Sequence, residues 1–178
     1  MLSGHVSTRV GTVGGMESVF DLPSHPFFVH IPVVLVPLGF IGALFMLARP
    51  VWWQRLSGPV VVVTVLGAVG AVLAAGSGEE LEEAVRDRSV RALVEEHTEA
   101  GDLARVASLV FLIVMLVAVF GPRFVKAVAA KKWWRPLVAV ALVVSGAFAS
   151  WAMFDAGHTG AKSVWNEVKV TGEGDDDD

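Results

Sequence analysis

Four runs of almost unbroken apolar residues divide the chain: Phe27–Ala48, Pro59–Gly76, Leu103–Phe120 and Pro136–Ala156. Each approaches the roughly 20 residues that an α-helix, rising ~1.5 Å per residue, needs to cross a hydrocarbon layer ~30 Å thick. A soluble bundle would place polar residues every third or fourth position along an outward face. Val60–Ala75 contains only Thr64, and Leu137–Phe154 only Ser145 and Ser150. The pattern predicts an all-α fold, a bundle of four transmembrane helices.

Between the second and third runs the pattern changes. Ser77 with Glu80 three positions later has the form of a capping box, and Glu79, Glu80, Glu82 and Glu83 suit a helix start. Leu81, Val85, Leu93 and Val94 add a narrow apolar stripe. Gly78–Asp102 therefore reads as a short amphipathic outer helix that breaks near Arg88–Ser89, with a second helix running from about Val90 into the third crossing. Residues 1–23 are Gly-rich and read as a flexible outer arm, 24–160 as the membrane domain, and 161–178 as an outer acidic tail ending in Asp175–Asp178. Pro32 and Pro37 each remove a helical donor, which predicts a kinked first crossing. The second and fourth crossings are rich in Gly, Ala and Ser, which let helix backbones approach closely in lipid.

Composition agrees with burial in a membrane. The 178 residues are 54% hydrophobic and 18% charged, with a mean hydropathy of +0.61; soluble domains average ~25% charged. Cysteine is absent, which excludes disulfides, thiolate nucleophiles and thiolate-bound metals from this chain. The net charge of −4 is strongly polarised. All 18 acidic residues and all five histidines fall on one side of the four crossings. The turns Arg49–Gly58 and Gly121–Arg135 carry seven Lys/Arg and no acid. Positive loops stay cytoplasmic, so both termini are expected outside, despite Arg86, Arg88, Arg91 and Arg105 on that side. Trp52–Trp53 and Trp133–Trp134 read as anchors at the headgroup level. A nucleic-acid partner is not expected, because no basic aromatic patch faces the acidic side.

The chemistry candidates are His25, His30, His97 and His158. Counting outward from the inner boundary puts His30 and His158 near the outer hydrocarbon edge. His97 lies roughly 6 Å farther out and His25 about 6–8 Å beyond the edge, so four imidazoles share a slab ~10 Å thick. Each has a plain structural role open to it: His25 as a helix cap before Pro26, His97 as a surface partner of neighbouring glutamates, His158 at a helix end after Gly157. His30 stands among apolar neighbours, where an ionisable group in a membrane segment is a functional candidate. Asp155, one helical turn before His158, could orient that ring or pair with Arg105 or Lys162. Neutral imidazoles without thiolates suit haem iron, copper or zinc. His30 with His158 forms one expected axial pair and His25 with His97 the alternative.

His25-Pro26-Phe27-Phe28-Val29-His30-Ile31-Pro32 resembles the H-P-x-x-V-H-[FI]-P opening of a family of small four-helix bacterial membrane proteins whose domain has no known function. His97, and Gly157-His158-Thr159-Gly160 followed by Lys162-Ser163-Val164-Trp165, resemble its other landmarks, so the likeness spans about Ser24 to Val170. The chain departs from that pattern at Ala161, where a second glycine is common, and at Trp165–Glu167, where the family has a tyrosine and a histidine. The resemblance implies a bacterial cytoplasmic membrane. It also implies a link to redox work, since members are joined in places to c-type cytochrome or Rieske-type domains.

Three functions are therefore open: a redox or electron-transfer module binding b-type haem, copper or zinc through the outer histidines; a proton or metal-ion transporter component; and a non-catalytic assembly subunit. A stand-alone enzyme is not expected. The chain has no nucleophile elbow, phosphate loop or zinc-protease spacing.

Overall fold

A computed structural model of the chain describes residues 18–19, 22–23, 25–84 and 91–165. Two short strands, β1 (Ser18–Val19) and β2 (Leu22–Pro23), pair antiparallel ahead of the helices. The helices are α1 (His25–Ala48), α2 (Pro50–Ala84), α3 (Arg91–Phe124), the single-turn α4 (Lys126–Ala129) and α5 (Trp134–Trp165). The expected arm at 1–17, the break at Arg88–Ser89 and the acidic tail from 166 lie outside the described residues.

All four long helices are apolar enough to cross a membrane, over Phe28–Ala48, Pro50–Gly78, Glu95–Phe124 and Trp134–Lys162. The protein is a multi-pass membrane protein built as a four-helix bundle. Around the bundle each of α1 and α3 neighbours both α2 and α5, so α1 faces α3 across one diagonal and α2 faces α5 across the other. α1 and α2 meet at a turn of one residue, Arg49, after which Pro50 opens α2. Proline suits a helix's first turn, where its missing N–H has no partner to lose.

The helices are longer than their apolar runs. α2, α3 and α5 have 35, 34 and 32 residues, about 50 Å each at ~1.5 Å per residue. They project beyond a hydrocarbon layer of ~30 Å. Two expectations are corrected here. The outer helix does not begin at Ser77, because α2 runs through it to Ala84. The Ser77 hydroxyl donates to the Ala74 carbonyl one turn back, inside the helix, instead of capping a new one. Nor does Gly157 end the last crossing, since α5 continues through Gly157 and Gly160 to Trp165. Pro32 and Pro37 likewise remain inside a continuous α1.

The interior is made of small residues around a few large ones. Ala43, Ala68, Ala71, Ala104, Ala107, Ala149 and Ala152 are buried, and Phe111, Met115, Met46 and Leu142 fill the space between them. Phe111 is 0% exposed. The large aliphatics point the other way: Ile113 is 60% and Val144 62% exposed. Such a face belongs against lipid. At Gly67 of α2 the helix backbones themselves come near, since an added Cβ would stand 3.2 Å from the Val36 backbone nitrogen of α1. The buried hydroxyls of Thr64 and Ser108, and the half-buried Ser145 and Ser150, donate to the carbonyl four residues earlier in their own helices. That satisfies them without building a polar track through the bundle.

The two tryptophan pairs divide their work. Trp53 and Trp134 turn inward against the core and close the basic end, Trp134 passing within 3.5 Å of a Cβ built on Gly121. Trp133 faces outward, as a headgroup anchor does, and Trp52 meets Phe45 edge-on.

Candidate functional site

The opposite end of the bundle is closed by two imidazoles. His25 is the first residue of α1 and reaches sideways to α2, where Nδ1 lies 3.0 Å from the Ala74 carbonyl and 3.2 Å from the Ser77 hydroxyl. A carbonyl only accepts, so Nδ1 carries the proton. The ring rests against the helix at Gly78, with Cε1 3.1 Å from the position a Cβ would occupy. His97, in the second turn of α3, does the same toward α5. Its Nδ1 lies 3.4 Å from the Thr159 hydroxyl. Thr159 donates its own proton to the Asp155 and Ala156 carbonyls, so it accepts from His97. That ring lies over Gly160, with Cε1 2.9 Å from a Cβ built there.

The two rings meet edge to face, with centroids 5.9 Å apart and planes at 80°. They span the α1–α3 diagonal and link all four helices at this end. With Nδ1 protonated, a neutral imidazole keeps a bare lone pair on Nε2. Burial pushes the His25 pKa below the ordinary histidine value of 6.5; the Ala74 bond opposes this and the charge of a protonated His97 adds to it. His25 lies ahead of the first span and is neutral at physiological pH.

The other candidates are placed differently. His30 and His158 are both exposed. The His158 ring stacks on Phe154, centroids 6.3 Å apart and planes at 9°. Asp155 is half-buried, and its backbone carbonyl receives the Thr159 hydroxyl. Arg105 bonds Asp102 one turn earlier at 2.8 Å, and Lys162 bonds Glu96 at 3.1 Å, clasping α3 to α5. Among the described residues, no group of three or more His, Asp or Glu side chains is close enough to share a metal ion.

Sequence reasoning passed over the residues that hold the pair: Ala74, Ser77 and Gly78 on α2, Thr159 and Gly160 on α5. Thr159 and Gly160 belong to the closing motif, but attention falls there on His158, which the helix turns outward. Ser77 was legible only as a cap, and Gly78 only as the start of an outer helix.

No curated protein and no solved structure matches the chain. A family model described as a predicted membrane protein, DUF2231, matches residues 21–172 and so takes in every element of the bundle and both imidazoles of the pair. The chain belongs to the DUF2231 family of membrane proteins.

Proposed function

We propose that the protein holds a transition-metal ion between the Nε2 atoms of His25 and His97, and that it serves as a membrane module associated with electron transfer. One observation carries this reading: each ring commits its Nδ1 to an acceptor on a neighbouring helix, which leaves Nε2 as the nitrogen open to a metal, and the two ring centroids are 5.9 Å apart. Metal-bound histidines are oriented in this way, by a bond from the second nitrogen. The 5.9 Å separation suits two metal–nitrogen bonds of about 2.0–2.1 Å, and binding would turn the face-on ring out of the edge-to-face contact so that both Nε2 atoms converge. Neutral imidazoles without thiolate or carboxylate favour copper, with zinc next. Copper, when bound, supplies one-electron chemistry. The chain's own part is to hold both rings in one tautomer and to shield His25 from water. Orienting groups are then Ala74, Ser77 and Thr159, in place of Asp155 and Arg105.

Haem fits less well. The layers beneath the rings are closed by the buried single methyls of Ala71, Ala74, Ala104 and Ala152, and each ring already lies on a glycine. A macrocycle would have to part the helices. By the charge rule the pair faces the outside, where a soluble redox partner can approach it.

The test is metal analysis of the purified full chain after exposure to copper or zinc and removal of loose metal, with an absorption spectrum after haem-replete expression. One equivalent of metal is expected, lost in His25→Asn and His97→Asn and kept in His30→Asn and His158→Asn. No retained metal overturns the proposal, and so does a Soret band that depends on this pair. Absence of both, with a large loss of stability in the same variants, would favour a purely structural seal.

A further inference from the structure

We propose that the connection from Arg123 to Arg135, between α3 and α5, is a docking surface for anionic phospholipid in the leaflet at the basic end of the bundle. Its cations are Arg123, Lys126, Lys131, Lys132 and Arg135, all exposed. No acidic residue occurs between Asp102 and Asp155, so nothing within this stretch neutralises them. Interleaved with the charges are exposed apolar side chains. Phe124 is 84% exposed and Trp133 53%, with Val125 and Val128 also outward. Water would solvate the lysines but not Phe124. A zwitterionic leaflet would cover Phe124 but leave five positive charges unmatched. Lipid with an apolar tail and an anionic headgroup satisfies both.

Two guanidinium–ring contacts bear on the depth. The Arg123 guanidinium sits 5.0 Å over the Phe120 ring, on the last turns of the third span. In the other turn at this end, Arg49 lies 5.3 Å over Trp52, which meets Phe45 edge-on. Stacking on a ring holds each guanidinium at the boundary of the apolar layer, where phosphates lie. α4 interrupts the chain between the two long helices and keeps Lys126 and Val128 beside this boundary.

The full chain, reconstituted in phosphatidylcholine vesicles with trace dansyl-labelled phosphatidylglycerol or dansyl-labelled phosphatidylcholine, reports lipid proximity by tryptophan-to-dansyl transfer. Phosphatidylglycerol is expected to be enriched severalfold over phosphatidylcholine. The enrichment should fall in the unaltered protein as salt rises from 0.1 to 1 M, when the screening length shrinks from about 10 to 3 Å. Lys126→Gln/Lys131→Gln/Lys132→Gln should bring it most of the way to parity. These side chains are exposed, so folding is not at stake. Equal transfer from both lipids, insensitivity to salt, or an unchanged triple variant would overturn the proposal. Retention of an acidic soluble protein at this face without any lipid preference would overturn it too.

Discussion

Gly160→Ala separates the imidazole pair from the stability of the helix that supports it. The new methyl would lie 2.9 Å from His97 Cε1 and 3.2 Å from Nδ1. Ordinary carbon contacts are ~3.5–4.0 Å, so the ring must retreat by at least about half an ångström. The Thr159 bond, already 3.4 Å, has no slack to absorb that movement. The ring therefore loses its tether and turns away from His25. Stability responds far less. Overpacking costs ~1–3 kcal/mol when the neighbour cannot yield, but here it is the end of a rotatable side chain. Replacing a helical glycine by alanine returns ~1 kcal/mol. Near cancellation is expected, with a melting temperature close to that of the unaltered protein and metal affinity lower by ~10–100-fold, the usual cost of disturbing an orienting bond. Gly157→Ala is the matched control, one turn away on the same helix, with nothing within 4 Å of its Cβ position. It should bind as before and melt no lower. Metal titration and thermal unfolding in the same detergent measure both effects. Unchanged affinity in Gly160→Ala, or equal losses in the two variants, would refute the reasoning.

Two further outcomes follow from the packing and from the protonation of the pair. Gly146→Ala places a methyl 2.4 Å from Phe40 Cδ2 and 3.0 Å from Phe111 Cε2. Buried Phe111 and half-buried Phe40 flank the site and cannot both yield, so overpacking of ~1–3 kcal/mol, less the ~1 kcal/mol that alanine returns to a helix, should leave a net loss of up to ~2 kcal/mol in thermal unfolding. For pH, the lowered His25 pKa means that below 6.5 the unfolded chain takes up a proton that the folded chain resists. Stability from this group is then complete above 6.5 and declines as pH falls through the window between 6.5 and the lower folded value. Melting curves across that window should show the decline in the unaltered protein and a smaller one in His25→Asn; parallel curves would contradict it.

Much of the architecture was readable because lipid imposes a one-dimensional requirement. A crossing needs a certain length of apolar chain, and Phe27–Ala48 or Pro136–Ala156 declares it without reference to any neighbour. The extensions beyond the crossings were less readable. Ser77 has the residue type and spacing of a cap, yet a hydroxyl can equally bond one turn back in its own helix, and local sequence does not distinguish the two. The site was legible only as a set of histidines at similar depth. Counting along the helices gives His30 and His158 the same expected depth, but both are exposed on the helix surface.

The sequence alone determined that this chain crosses a membrane four times, that its charges separate to opposite ends, and that it belongs with a family sharing its His-Pro and Gly-His-Thr-Gly landmarks. Only tertiary structure decided which imidazoles meet. That choice depends on which helices lie across a diagonal and on where Gly78 and Gly160 leave room for a ring. Both are properties of lateral packing between segments about 50 or more residues apart, and hydropathy along a single helix does not encode them.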